Sequence, residues 1–66
     1  MNLQINGQNR EYPSPLTIVQ LLDQLDLAIE RVVVELNREI LTADKLADTQ
    51  LTDGDTLELI QFVGGG

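Results

Sequence analysis

Apolar and polar residues alternate at the start of the chain, where Leu3 and Ile5 stand between polar neighbours. A period of two is typical of a strand with one buried face. The pair Asn6-Gly7 then gives a strong signal for a tight hairpin turn. We expect a second strand over about residues 10–13, with Tyr12 facing inward, before two prolines end the pairing.

The segment after the prolines has the spacing of an amphipathic helix. Thr17 and Gln20 match a capping box, in which each side chain bonds the backbone N–H of the other residue at the start of a helix. Apolar residues then recur three, four and seven positions after the first and form one stripe. They are Ile18, Leu21, Leu22 and Leu25. We interpret this stripe as core packing rather than as a partner groove.

The β-branched run at residues 32–36 predicts a short strand, and Asn37-Arg38 predicts a tight turn into a second short strand at residues 39–41. The connection that follows is more polar. We expect a short helical turn near residues 43–47, with Leu46 and Leu51 anchoring this connection to the core.

Asp53-Gly54-Asp55 predicts a turn into a last strand over residues 56–62. The two carboxylates flank a glycine in a turn, and we interpret them as caps for backbone groups rather than as a catalytic or metal-binding pair. The predicted order is strand, strand, helix, strand, short strand, strand. Four or five strands with one main helix across one face make an α+β fold.

The last strand predicts an apolar patch on the face away from the helix. Leu57 and Leu59 share one face, so Ile60 and Phe62 point to the other, where Val33 also projects. Apolar patches with polar rims often mark protein contacts, and we predict that these three residues bind a partner. In two competing interpretations, a β-bulge turns Ile60 inward, or the apolar residues only shield the sheet.

Composition limits the chemistry and the partners. The chain has no cysteine and no histidine, so we expect no catalytic residue, no metal site and no cofactor bound by the chain itself. Eleven acidic residues against four basic ones give a net charge of −7, which argues against nucleic acid and membrane partners. The charge favours a partner with a basic docking face, unless it only maintains solubility.

No apolar run approaches the roughly 20 residues that span a bilayer. The N-terminus has no basic-then-apolar leader pattern, so we expect a cytoplasmic protein.

The sequence ends in Gly64-Gly65-Gly66. Glycines lose much backbone freedom on ordering, so residues 63–66 are expected to form a flexible tail beyond a domain of residues 1–62. From Val63 to Gly66 such an arm reaches about 13 Å when extended. We predict that Gly66 presents a free carboxylate as the reactive group. Frayed ends and linker remnants also carry glycine runs, so an inert tail is the alternative.

The chain resembles the thiamine-biosynthesis sulfur carriers of the ThiS type, which have the ubiquitin-like β-grasp fold with a mixed sheet. The resemblance covers all 66 residues. It rests on four segments: Leu3-Gln4-Ile5-Asn6-Gly7, Thr17-Ile18-Val19-Gln20-Leu21-Leu22, Leu51-Thr52-Asp53-Gly54-Asp55 and Gln61-Phe62-Val63-Gly64-Gly65-Gly66.

The resemblance implies a sequence of partners. An E1-like adenylyltransferase of the ThiF type would use ATP and magnesium to adenylate the carboxylate of Gly66. A persulfide protein would then supply sulfur and leave a thiocarboxylate, which a thiazole synthase of the ThiG type would consume in making the thiazole ring of thiamine. Gly65 would be the required second glycine, while Gly64 lies where the family pattern is looser.

Three other functions stay open at the level of sequence. The small subunit of molybdopterin synthase is a sulfur carrier with the same fold. It tends to be longer, with proline before its glycines, whereas residues 59–63 here contain none. A ubiquitin-like modifier would share the adenylation step but form an isopeptide bond, and Lys45 is the single lysine for self-linkage. An interaction domain with an inert tail is the third.

Overall fold

The computed structural model describes residues 1–62, which form a mixed five-stranded sheet with one main helix on one face. The strands are β1 (Asn2–Ile5), β2 (Gln8–Glu11), β3 (Val32–Leu36), β4 (Glu39–Ile40) and β5 (Thr56–Gln61), in the order β2-β1-β5-β3-β4. The helices are α1 (Ile18–Gln24) and α2 (Ala43–Asp48). The α+β prediction is confirmed. The division into residues 1–62 and a tail stays a prediction, because residues 63–66 lie outside the described part.

The first hairpin corrects the predicted position of the second strand. Asn6 and Gly7 have φ angles of 50° and 82°, as a two-residue turn of the hairpin type requires. Such a turn makes Ile5 pair with Gln8, so β2 occupies Gln8–Glu11 and the prediction of residues 10–13 was wrong. Tyr12 follows the strand and is partly buried against the core, as expected.

The helix α1 begins as the sequence predicts. The hydroxyl of Thr17 accepts a hydrogen bond from the backbone N–H of Gln20 at 3.1 Å, and the Gln20 side chain accepts one from the Thr17 N–H at 2.9 Å. Ile18, Leu21 and Leu22 are buried against the sheet, which confirms the apolar stripe as core. α1 ends at Gln24, so the last stripe residue, Leu25, is only partly buried at the C-cap.

The second half of the chain follows the prediction closely. Asn37 and Arg38 both have positive φ angles and join β3 to β4. Leu46 and Leu51 are buried and tie the polar connection to the core. A 3-10 turn at Ile29–Arg31 was not predicted.

One hydrophobic core lies between the sheet and the helices. Its buried members are Leu3, Ile5, Leu16, Ile18, Leu21, Leu22, Val32, Val34, Leu46, Leu51 and Leu57. The opposite face of the sheet has no helix over it within residues 1–62. No helix in this range has the length and apolar character that crossing a membrane requires.

Replacing Thr17 with alanine should lower the free energy of unfolding by about 1 kcal/mol, since the first turn of α1 loses its side-chain cap. Urea denaturation of the two proteins measures this difference. Thr52→Ala is the matched control, because its backbone N–H rather than its hydroxyl is bonded in the structure. Equal loss in both variants would contradict the capping role.

Candidate functional site

The central strand β5 leads directly toward the C-terminal glycines and is paired on both sides. β1 lies parallel to it, with Ile5 beside Leu57, and β3 lies antiparallel to it over residues 57–61. The β1 pairing covers only Thr56 and Leu57, because β1 turns away at Asn6. The last residues of β5 therefore need other partners on that side.

The Asn6 side chain supplies that pairing. Its Oδ1 accepts a hydrogen bond from the N–H of Leu59 at 2.7 Å, and its Nδ2 donates to the carbonyl of Leu59 at 3.3 Å. A side-chain amide has the donor and acceptor of a peptide group, so Asn6 extends the ladder beyond the end of β1. The sequence identified Asn6 only as a turn residue, and the contact to Leu59 spans 53 positions.

The start of β5 is held by the predicted acidic turn. Asp53 Oδ1 accepts from the Asn2 N–H at 2.6 Å, and Asp55 Oδ2 accepts from the Thr52 N–H at 2.8 Å. Both carboxylates therefore cap backbone groups, which confirms that interpretation. Asp55 is nearly buried and also accepts a hydrogen bond from Asn37 Nδ2 at 3.0 Å.

Residues 1–62 contain no cluster of three or more acidic, histidine or cysteine side chains arranged to hold a metal ion.

The outer patch, defined as Val33, Ile60 and Phe62, lies on the helix-free face of the sheet. Val33 is the direct partner of Ile60, and the register is continuous from Val32–Gln61 to Leu36–Leu57. No bulge interrupts it, so Ile60 points outward and the β-bulge interpretation is wrong, whereas the interpretation that the apolar residues only shield the sheet stays open. Ile60 and Phe62 are 57% and 60% exposed. The N–H of Phe62 donates to the carbonyl of Arg31 at 2.8 Å, which fixes the patch one residue beyond β5.

Charged residues border the outer patch. Glu35 and Glu58 are direct cross-strand partners next to the Val33–Ile60 pair. Like charges in this arrangement destabilise a strand pair slightly. Within residues 1–62, the one ion pair joins Lys45 and Glu39 at 3.4 Å, so neither carboxylate is neutralised there. This border can receive basic side chains of another protein.

The structure thus brings Val33, Ile60 and Phe62 together, as predicted. Whether they bind a partner stays a prediction. Gly64, Gly65 and Gly66, predicted to form the flexible reactive tail, lie outside the described residues.

Comparison with known families gives a direct assignment. The model of the ThiS family matches residues 3–66, which is nearly the whole chain. The chain belongs to the ThiS family. A ThiS sulfur carrier protein from Bacillus subtilis is 37% identical over 65 residues, and the match covers 97% of this chain and 98% of that protein.

Solved structures and a longer relative agree with the ThiS assignment. A crystal structure of a thiamine biosynthesis protein (ThiS) from Geobacter metallireducens matches with a TM-score of 0.82 and 39% identity, covering 100% of both chains. A thiazole synthase from Paramagnetospirillum magneticum is 39% identical over 66 residues. This chain spans only 20% of that synthase. The fold of the described residues is therefore the β-grasp fold of the ThiS family.

Replacing Asn6 with glycine should loosen the end of β5 without straining the turn, because glycine adopts a positive φ freely. The loss of two hydrogen bonds should lower the opening free energy of the Leu59 amide by about 1–2 kcal/mol. Native-state hydrogen exchange measures it, with the Leu41 amide, which donates to the carbonyl of Val34, as the internal reference. The same protection change at both amides would contradict a local role for Asn6.

Proposed function

We propose that this chain carries sulfur as a thiocarboxylate on Gly66 and delivers it to a thiazole synthase. As a member of the ThiS family, the chain is a sulfur carrier of thiamine biosynthesis. We further propose that the carboxylate of Gly66 is the reactive group, that it is adenylated, and that the partners are those named below. One observation of the structure supports them: Ile60 of the outer patch lies on β5, the last strand before the C-terminal glycines in the sequence, and Phe62 follows that strand directly.

The proposed chemistry suits a chain with no histidine and no cysteine. A carboxylate is a poor electrophile, and an activating enzyme of the ThiF type would convert it to an acyl-adenylate with ATP and magnesium. The persulfide sulfur of a donor protein would then attack this carbonyl carbon, and AMP would leave. Reductive cleavage of the resulting sulfur–sulfur bond by a thiol would release the thiocarboxylate. The carrier supplies only its terminus, so it needs no acid, base or metal of its own.

The outer patch supports a docking role in this scheme. Ile60 and Phe62 are held by the β3–β5 register, so a partner would meet a rigid apolar surface. A basic partner would also pair with Glu35 and Glu58 and approach an acidic chain faster. A docked partner would then have its active site at a fixed distance from Gln61, the last residue of β5.

The names of the related proteins favour a role in thiazole synthesis over a role in molybdopterin synthesis. Proteins named as sulfur carrier protein ThiS and as thiazole synthase both match the full 66-residue range or nearly all of it. A thiazole synthase that includes a segment similar to this whole chain also supports a ThiG-type enzyme as the physical partner.

Replacing Gly65 or Gly66 with alanine should leave the fold intact and sharply reduce thiocarboxylate formation. A β-carbon widens the arm and restricts its backbone angles, which would hinder entry into a narrow active site. Mass spectrometry after incubation with the activating enzyme, ATP and a sulfur donor measures the yield. Gln8→Ala, at an exposed position of β2, is the control for unspecific effects of substitution. Parent-like yield from both tail variants would refute the proposal.

Replacing Ile60 with serine should raise the KM for the carrier in the activation reaction about tenfold or more, while kcat changes little. One buried aliphatic side chain contributes about 1.5–3 kcal/mol when it is removed from water. Ala47→Ser is the control, because Ala47 is an exposed apolar residue of α2, on the helix side of the sheet. An unchanged KM for Ile60→Ser would exclude the outer patch as the docking surface.

A further inference from the structure

A second concave surface lies on the helix side of the molecule, away from the outer patch. This α1 groove has a volume of about 220 Å³ and is lined by Val19, Leu22, Asp23, Leu27, Ile29 and Glu30. Small-molecule sites usually measure about 300–1,000 Å³. The smaller size of the α1 groove favours one or two side chains of a protein segment over a cofactor.

The groove arises from the way the chain leaves α1. Asp26 has a φ angle of 60°, and the N–H of Leu27 donates to the carbonyl of Leu22 at 2.9 Å. The chain therefore folds back along the helix and brings Ile29 to the same groove as Val19. Val19 lies outside the buried stripe of α1, so this apolar surface is additional to the core.

The apolar rim of the groove is exposed. Val19 and Ile29 are 41% and 36% exposed, whereas Leu22 is buried and forms the floor. Asp23 and Glu30 also line this groove, and no lysine or arginine does so. An apolar groove with two carboxylates complements a side chain with an aliphatic stem and a positive head. Such a head can donate charge-assisted hydrogen bonds to Asp23 or Glu30.

We infer that the α1 groove is a second docking surface, which binds a partner segment of aliphatic residues flanked by lysine or arginine. None of the residues that line the groove belongs to the outer patch, and Val19 and Leu22 lie on α1 rather than on the outer face of the sheet. A partner could therefore hold the carrier by the groove while an enzyme occupies the outer patch. This inference concerns binding alone, so it stands or fails separately from the sulfur chemistry.

The test is an NMR titration of the full ¹⁵N-labelled chain with a short peptide of alternating leucine and arginine. We expect amide shifts centred on residues 19–30 and weaker binding as salt increases, because the charged contacts are partly exposed. A matched peptide with glutamate in place of arginine should cause no such shifts. Shifts confined to residues 33 and 58–62, equal shifts with both peptides, or no shifts would overturn the inference.

Charge-reversal variants in the α1 groove and on the outer face of the sheet can be compared for their affinity for the arginine peptide. Asp23→Lys and Glu30→Lys should each weaken binding of the arginine peptide about tenfold, the effect of losing about 1.4 kcal/mol. Glu58→Lys makes the same change of charge on the outer face. It should leave the affinity within about twofold, since Glu58 does not line the groove and exposed charges are screened. Equal weakening by all three variants would show an unspecific charge effect and overturn the inference. Amide spectra of each variant establish that it is folded.

Discussion

The structure depends on the pairing of β5 in the centre of the sheet. Leu57 of this strand is buried in the core. The strand pairs with β1 on one side and with β3 on the other. Side chains replace the backbone where the neighbouring strands turn away: Asn37 bonds the N–H of Thr56, and Asn6 bonds both backbone groups of Leu59. The strand is therefore fixed from its first residue to its last, although the domain is small.

Because β5 is held in a regular register, its two faces have different environments. The inward residues Leu57 and Leu59 pack toward the helix, while Ile60 and Phe62 stay exposed on the outer face. A domain of this size cannot cover both faces of its sheet, since only one helical layer is available. Within residues 1–62 the other face has no helix over it, and its exposed Ile60 and Phe62 form the surface that we propose for docking.

Much of the fold follows from local patterns in the sequence. The capping box at Thr17, the apolar stripe of α1 and the alternation in β3 and β5 each depend on near neighbours, and the structure has all of them. The outer patch was predictable for the same reason, because the parity of a regular strand determines which residues point outward. The second strand was misplaced since the Asn6-Gly7 turn, rather than the prolines, sets where pairing begins.

Other features depend on contacts between distant parts of the chain. The bonds from Asn6 to Leu59 require that β1 lies beside β5, which no local pattern indicates. The α1 groove likewise depends on the left-handed residue Asp26 and the 3-10 turn after it, for which the sequence has no strong signal. The reactive role proposed for Gly66 rests on membership of the ThiS family, because residues 63–66 lie outside the described range.

The most direct measurement is fragment-resolved mass spectrometry of the chain after incubation with a ThiF-type enzyme, ATP, magnesium, a persulfide donor and a thiol reductant. A sulfur carrier should show one oxygen replaced by sulfur in the C-terminal fragment that contains Gly66, and the change should depend on ATP. An unmodified C-terminal fragment, or an isopeptide bond to a lysine in its place, would contradict the account.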